Sequence, residues 1–213
     1  MSKLLLLLIG PTIMIFLGLV TFKSVPITFI LFYGWLLLFS LYNLRKRHQR
    51  KLIVNTKSIL VGFISGLICL SAIYGTVYFL KSSVFNLTEL RELLIEWNFT
   101  GANVFWLVLI LIFVNPILEE IYWREVMYGE LDSKLGATTS SNTITAFFYS
   151  LYHLLSVYFI FSFPFNLLAV LPVFLAGLMW GIFRYKLKSI IAPIISHVLA
   201  DLGIMLVYIN LIL

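Results

Sequence analysis

Two adjacent acids, Glu119 and Glu120, close an apolar run, and Arg124 stands four residues beyond the second. His153 and His197 lie inside two later apolar runs, and Asp201 follows His197 by one helical turn. Carboxylates and imidazoles are side chains that take and return protons near neutrality. Two histidines with carboxylates could also hold a zinc ion with an open position. Ionisable groups at membrane depth cost roughly 2.5–3.5 kcal/mol each for Asp, Lys or Arg on insertion scales, so a chain that keeps several there has a use for them. This set suggests water activation and hydrolysis inside a membrane.

Helical spacing divides the roles. Glu120 shares a face with Arg124 and is expected to pair with it. Glu119 is rotated about 100° away and is expected to be the chemically available acid, a general base. Tyr149, four residues before His153, lies on the same face as that histidine. Asp201 can accept a hydrogen bond from His197 and fix its tautomer. Each motif alone has a plainer reading: acids marking a helix end, a packed histidine bonding a neighbouring helix, an internal ion pair. Their joint occurrence is the stronger signal. The chain has no His-Glu-x-x-His zinc helix, no Gly-x-Ser-x-Gly elbow and no glycine-rich phosphate loop. Ser65, Ser71, Ser150 and Ser196 lie in apolar runs, but a serine nucleophile needs a base beside it. His48 belongs to a basic run and receives no role.

The elements that must position these groups are membrane helices. Of 213 residues, 62% are hydrophobic and only 11% charged, about half the charged fraction of a soluble domain. Mean hydropathy is +1.05. The expected architecture is all-α: one membrane domain over 1–213, with about seven spans and an interfacial helix. Spans are expected at Leu4–Phe22, Val25–Leu44, Ser58–Leu80, Ala102–Leu118, Thr143–Phe161, Leu167–Phe183 and Ile190–Leu213, with Glu125–Ser141 as a polar loop. Asn86–Trp97 repeats leucines at helical spacing among charges, and Asn86 with Glu89 resembles a capping box, so an amphipathic helix is expected there. Gly62–Gly66 and Gly177–Gly181 are small-xxx-small patterns that let helix backbones approach closely. Cys69 is the only cysteine, which excludes an intrachain disulfide and a cysteine metal site.

The net charge of +6 points to lipid headgroups and membrane orientation rather than nucleic acid, because the basic residues cluster between apolar spans. The Arg45–Lys51 run and the Arg184–Lys188 turn are both expected at the cytoplasmic face. Three transits separate them and the parity agrees, which puts the N-terminus inside. Glu119, His153 and His197 then all fall in the cytoplasmic half of the membrane.

The order Glu-Glu-x-x-x-Arg, aromatic-x-x-x-His and His-x-x-x-Asp, each on its own hydrophobic helix, resembles the CAAX-processing and bacteriocin-processing enzymes, also called the CPBP or Abi family of intramembrane proteases. The likeness runs from about Val104 to Met205 and takes in Ala192-Pro193 before the last histidine. The first 101 residues carry no motif. The resemblance implies an α-helical endopeptidase in which Glu119 activates water with help from His153. Glu120 supports the site through Arg124, and His197 and residue 201 stabilise the oxyanion or help hold a metal. Two positions depart from the family pattern: Tyr149 stands where Phe is usual, and Asp201 where Asn is common. An amide donates to an oxyanion, whereas an ionised carboxylate only accepts. The cofactor is therefore left as none or one divalent metal such as zinc.

The expected function is hydrolysis of a peptide bond near the cytoplasmic face of a bacterial plasma membrane. A peptide or protein is the substrate, and maturation of a bacteriocin or signalling peptide, or self-immunity, is the setting. A non-catalytic immunity or scaffold protein is the alternative from another class. A proton-relaying transporter ranks last, since no internal repeat or paired broken helices are visible.

Overall fold

The computed structural model describes residues 2–46 and 54–213. Eight helical elements follow in order: α1 (Lys3–Thr21), α2 (Val25–Lys46), α3 (Thr56–Val84), α4 (Leu87–Glu96), α5 (Gly101–Leu135), α6 (Thr138–Ile160), α7 (Phe165–Leu187) and α8 (Ile191–Ile212). All but α4 are long and apolar enough to cross a membrane. The described residues contain no strand. The architecture is therefore the expected all-α bundle of seven spans. Arg47–Lys51, the larger part of the basic run, and His48 within it lie outside the described residues.

Glycines decide which helices touch. A Cβ on Gly62 would fall 2.8 Å from the Ala192 carbonyl oxygen, and one on Gly66 would fall 2.8 Å from Leu199 Cβ. Further along, Gly203 of α8 faces Leu70 of α3. Residue numbers rise together along both helices, so α3 and α8 run parallel and their N-terminal ends share one end of the bundle. The second glycine pattern does the same for α7 against α6: Gly177 meets Ala146 and Tyr149, and Gly181 meets Asn142. Numbers run in opposite senses there, so this pair is antiparallel. Asn142 Nδ2 fastens it by donating to the Leu178 carbonyl over 3.0 Å.

The expected polar loop at Glu125–Ser141 is not a loop. Helix α5 continues to Leu135, and only Gly136 and Ala137 separate it from α6. The charges in this stretch disguise an amphipathic helix: Val126, Met127, Tyr128 and Leu131 are buried. Glu125 turns its charge to Arg184 of α7, with Oε1 2.6 Å from Nε. Gly136, at φ 59°, supplies the left-handed residue that ends the helix.

Helix α5 is also irregular where the chemistry begins. Pro116 has no N–H, and its ring crowds the carbonyl four residues earlier. That carbonyl, of Ile112, lies inside the π-helical segment Ile110–Val114, which absorbs the misfit. A second π-helical segment, Ile121–Met127, starts directly after Glu120.

Helices α1 and α2 are tied to this region through Tyr122. Its hydroxyl donates to the Leu7 carbonyl and accepts from Trp35 Nε1, the latter over 3.1 Å. The amphipathic helix α4 forms as expected, capped by Asn86 Oδ1 accepting from the Glu89 N–H and pinned by its buried Leu90. Arg91 on α4 donates from Nε to the Ile212 carbonyl at the end of α8 over 2.6 Å.

Candidate functional site

His197 sits on the face of α8 that turns into the bundle, and it is 2% exposed. The close approach of α3 behind it, made at Gly62 and Gly66, presses that face towards α5. Trp180 of α7 stacks on the imidazole, with centroids 4.2 Å apart and planes at 19°. The indole is held by its own N–H, which donates to Ser196 Oγ over 3.0 Å.

Both glutamates of α5 reach this ring. Glu120 Oε1 is 3.1 Å from His197 Nδ1, and Glu119 Oε2 is 3.8 Å from Nε2. The 100° rotation expected to send them apart instead lets them straddle the imidazole. A carboxylate only accepts, so the Nδ1 hydrogen bond carries its hydrogen on the ring. The other nitrogen, Nε2, faces Glu119, with Asp201 Oδ1 3.6 Å away and the Tyr149 hydroxyl 3.4 Å away, so carboxylates stand at both ring nitrogens.

Glu120 is also paired as the spacing predicts: its Oε2 lies 3.1 Å from Arg124 Nε, with both side chains fully buried. The guanidinium lies over the Tyr149 ring at 4.9 Å and near Trp180 at 5.9 Å. A planar cation suits that stacked position. Asp201 is 8% exposed and receives the amide of Asn115, Nδ2 to Oδ2, at 3.0 Å.

His153 occupies a different place. Its Nδ1 bonds the Tyr149 carbonyl of its own helix at 2.9 Å, and its ring packs on Tyr149 and Tyr152 with centroids 4.6 and 4.3 Å away. Among the described residues it makes no hydrogen bond to either glutamate. Tyr149 stands between the two histidines, with its ring centroid 6.1 Å from that of His197. The structure thus gathers Glu119, Glu120, Arg124, Tyr149, His197 and Asp201 directly, and joins His153 to them through aromatic rings.

Four residues of the site escaped the sequence reading: Asn115, Trp123, Tyr152 and Trp180. Asn115 carried a usable signal, because an amide within an apolar run is as conspicuous as an acid. Trp180 lies inside the Gly177–Gly181 pattern, where it read as packing.

Among the described residues no group of three or more His, Cys, Asp or Glu side chains is placed to hold a metal ion. The Nδ1 atoms of both histidines already face oxygen partners within the protein.

Comparison with known families adds one finding. Residues 101–203 match the family model described as type II CAAX prenyl endopeptidase Rce1-like. This region is similar to that family. The match agrees with the resemblance carried by the three motifs, and it spans α5 through most of α8, the helices that supply the site. No curated protein and no solved structure gives a significant match to the chain. The Rce1-like family implies CAAX-type protease activity on a peptide or protein within a membrane, and the seven apolar helices make the chain a multi-pass membrane protein.

Proposed function

We propose that the chain is an intramembrane endopeptidase that hydrolyses a peptide bond near the cytoplasmic membrane face. Glu119 takes one proton from a water molecule, with His153, whose Nδ1–H is committed to the Tyr149 carbonyl, assisting through its acceptor Nε2. The resulting hydroxide attacks the scissile carbonyl carbon, and the proton passes to the departing amine as the C–N bond breaks. His197 carries a hydrogen on each ring nitrogen, one towards Glu120 at Nδ1 and one towards Glu119 and Asp201 at Nε2, and it donates the Nε2–H to the developing oxyanion. Donors placed in advance around such an oxyanion supply several kcal/mol in a water-poor site. Arg124 offsets the charge of Glu120, which leaves Glu119 as the carboxylate without a cationic partner from lysine or arginine. No step runs through a metal.

The observation that carries this reading is the convergence of Glu119, Glu120 and Asp201 on one buried imidazole, from two helices long and apolar enough to cross a membrane. We assign the enzyme to a bacterial plasma membrane and its work to maturation of a bacteriocin or signalling peptide, or to self-immunity. Peptide ligands and membrane lipid are its partners, with no nucleic acid. The test compares wild type and Glu119→Ala in proteoliposomes on an internally quenched farnesylated peptide ending in Cys-aliphatic-aliphatic-X. A companion cell assay follows a co-expressed candidate precursor peptide. Cleavage by wild type alone is the expected result; equal processing by both proteins removes the reading.

A further inference from the structure

Two of the serines that lie in apolar runs meet behind His197. Ser196, its neighbour on α8, is 0% exposed. Its Oγ accepts the Trp180 indole N–H over 3.0 Å and lies 3.1 Å from Ser65 Oγ on α3. Ser65 reaches back along its own helix, with Oγ 2.6 Å from the Val61 carbonyl oxygen and 3.2 Å from that of Gly62. The direction of each bond follows from the hydrogens available: an indole only donates, and a hydroxyl has a single hydrogen. The Ser65 hydrogen lies on the short bond to Val61, so the hydrogen between the two serines comes from Ser196. The chain runs from the Trp180 N–H to the Ser196 O–H, to the Ser65 O–H and to the Val61 carbonyl, across α7, α8 and α3. Hydrogen bonds aligned in this way strengthen one another. The close approach of α3 to α8 brings the hydroxyls together, since a Cβ on Gly66 would fall 3.0 Å from Ser196 Cα.

We propose that Ser65 and Ser196 are positioning residues for His197 and act on it through Trp180. This assignment rests on the hydrolase reading above. The indole that the chain anchors lies flat on the His197 ring, 4.2 Å away and at 19°, and meets the Tyr149 ring edge-on at 5.9 Å. His197 must keep one ring plane, because Nδ1 faces Glu120 while Nε2 faces Glu119 and Asp201. A flat neighbour resists rotation of the imidazole out of that plane, and an indole face attracts a ring that carries a hydrogen on each nitrogen. An indole without its anchor is free to tilt, and the Nε2–H then points away from the place where the oxyanion forms. A misplacement of about 1 Å can cost about 10²-fold in rate. Ser65 lies outside residues 101–203, the region that matches the family model. Helix α3 thus serves the site by a hydroxyl as well as by its glycines.

The test is a double-mutant cycle on the quenched farnesylated peptide in proteoliposomes. Ser65→Ala is expected to lower kcat about three- to tenfold, the worth of one hydrogen bond, with KM at its wild-type value. Trp180→Phe keeps a flat ring and removes the N–H that the chain anchors. In that background Ser65→Ala should change kcat by less than about twofold. A serine that only supports the α3–α8 crossing would lower kcat equally in both backgrounds. That result, or an unchanged kcat in Ser65→Ala alone, overturns the proposal and leaves the hydrolase reading standing. An active Glu119→Gln overturns the hydrolase reading itself. A second measurement needs no substrate. The ring-nitrogen magnetic resonances of the histidine-labelled, reconstituted protein that disappear in His197→Gln belong to His197. They should move in Ser65→Ala, because Ser65 acts on the ring through Ser196 and Trp180. Resonances that stay at their wild-type positions overturn the proposal whatever the peptide shows.

Discussion

Glu120 Oε1 lies 3.1 Å from Nδ1 of His197, although 77 positions separate the two residues along the chain. The other oxygen of the same carboxylate lies 3.1 Å from Arg124 Nε. One acid therefore orients the histidine and is itself neutralised by a neighbour on its own helix. This division frees Glu119, one residue earlier, to face Nε2 without a lysine or arginine partner.

Removing one member of the buried Glu120–Arg124 pair strands the other charge. Arg124→Ala is expected to destabilise the protein by roughly 3–5 kcal/mol, the range for breaking a buried ion pair. Thermal or denaturant unfolding in detergent reads this directly. Arg124→Lys should recover little, because a point charge cannot lie flat over the Tyr149 ring as the guanidinium does.

Glu119→Gln keeps the shape of the side chain and removes the base. Cleavage should fall by about 10²–10⁴, the range for general base catalysis. The unfolding midpoint should hold or rise, since a buried charge without a strong cationic partner has been removed. A large drop in midpoint would mark Glu119 as a structural acid instead.

The Asn115–Asp201 hydrogen bond joins α5 to α8 inside the site. Asn115→Ala leaves the Asp201 carboxylate short of its donor and should cost about 1–3 kcal/mol. Asp201→Asn alone places two amides against each other. A double-mutant cycle between the two positions should therefore show coupling well above the few tenths of a kcal/mol typical of independent sites, measured by unfolding and by kcat.

Gly62→Leu and Gly181→Leu test the two helix crossings. Each puts a branched side chain where even a Cβ meets the neighbouring helix, Ala192 in one case and Asn142 in the other. Overpacking of this kind costs about 1–3 kcal/mol and sometimes more. Gly62→Leu should also lower activity beyond its effect on stability, because α3 is the backstop that presents His197. Gly75, beside which no atom lies within 4 Å of the Cβ position, should accept Ala with little change.

Composition and periodicity alone dictated the class of fold. Long apolar runs with few charges have no stable state in water, and in lipid their backbones can be satisfied only as helices or closed barrels. The chemical groups were legible for the same reason: Glu119, Glu120, His153, His197 and Asp201 stand out because each is costly where it lies. The glycine patterns marked the crossings, and the structure shows which helices they join.

Other features needed the third dimension. The segment from Glu125 reads as a loop because its charges break the apolar run, yet it is an amphipathic helix whose Val126, Met127, Tyr128 and Leu131 are buried and whose Glu125 pairs with Arg184. Glu119 and Glu120 are expected to diverge, since helical rotation says where a side chain starts and not what lies between two of them. Tyr152 and Trp123 look like packing among many aromatics. In the structure Trp123 packs on Tyr152, and Tyr152 packs on His153. A sequence states which groups carry charge and how far apart they sit on one helix. Which of them share a pocket depends on how close neighbouring backbones come, and here glycines on α3 and α7 set that distance.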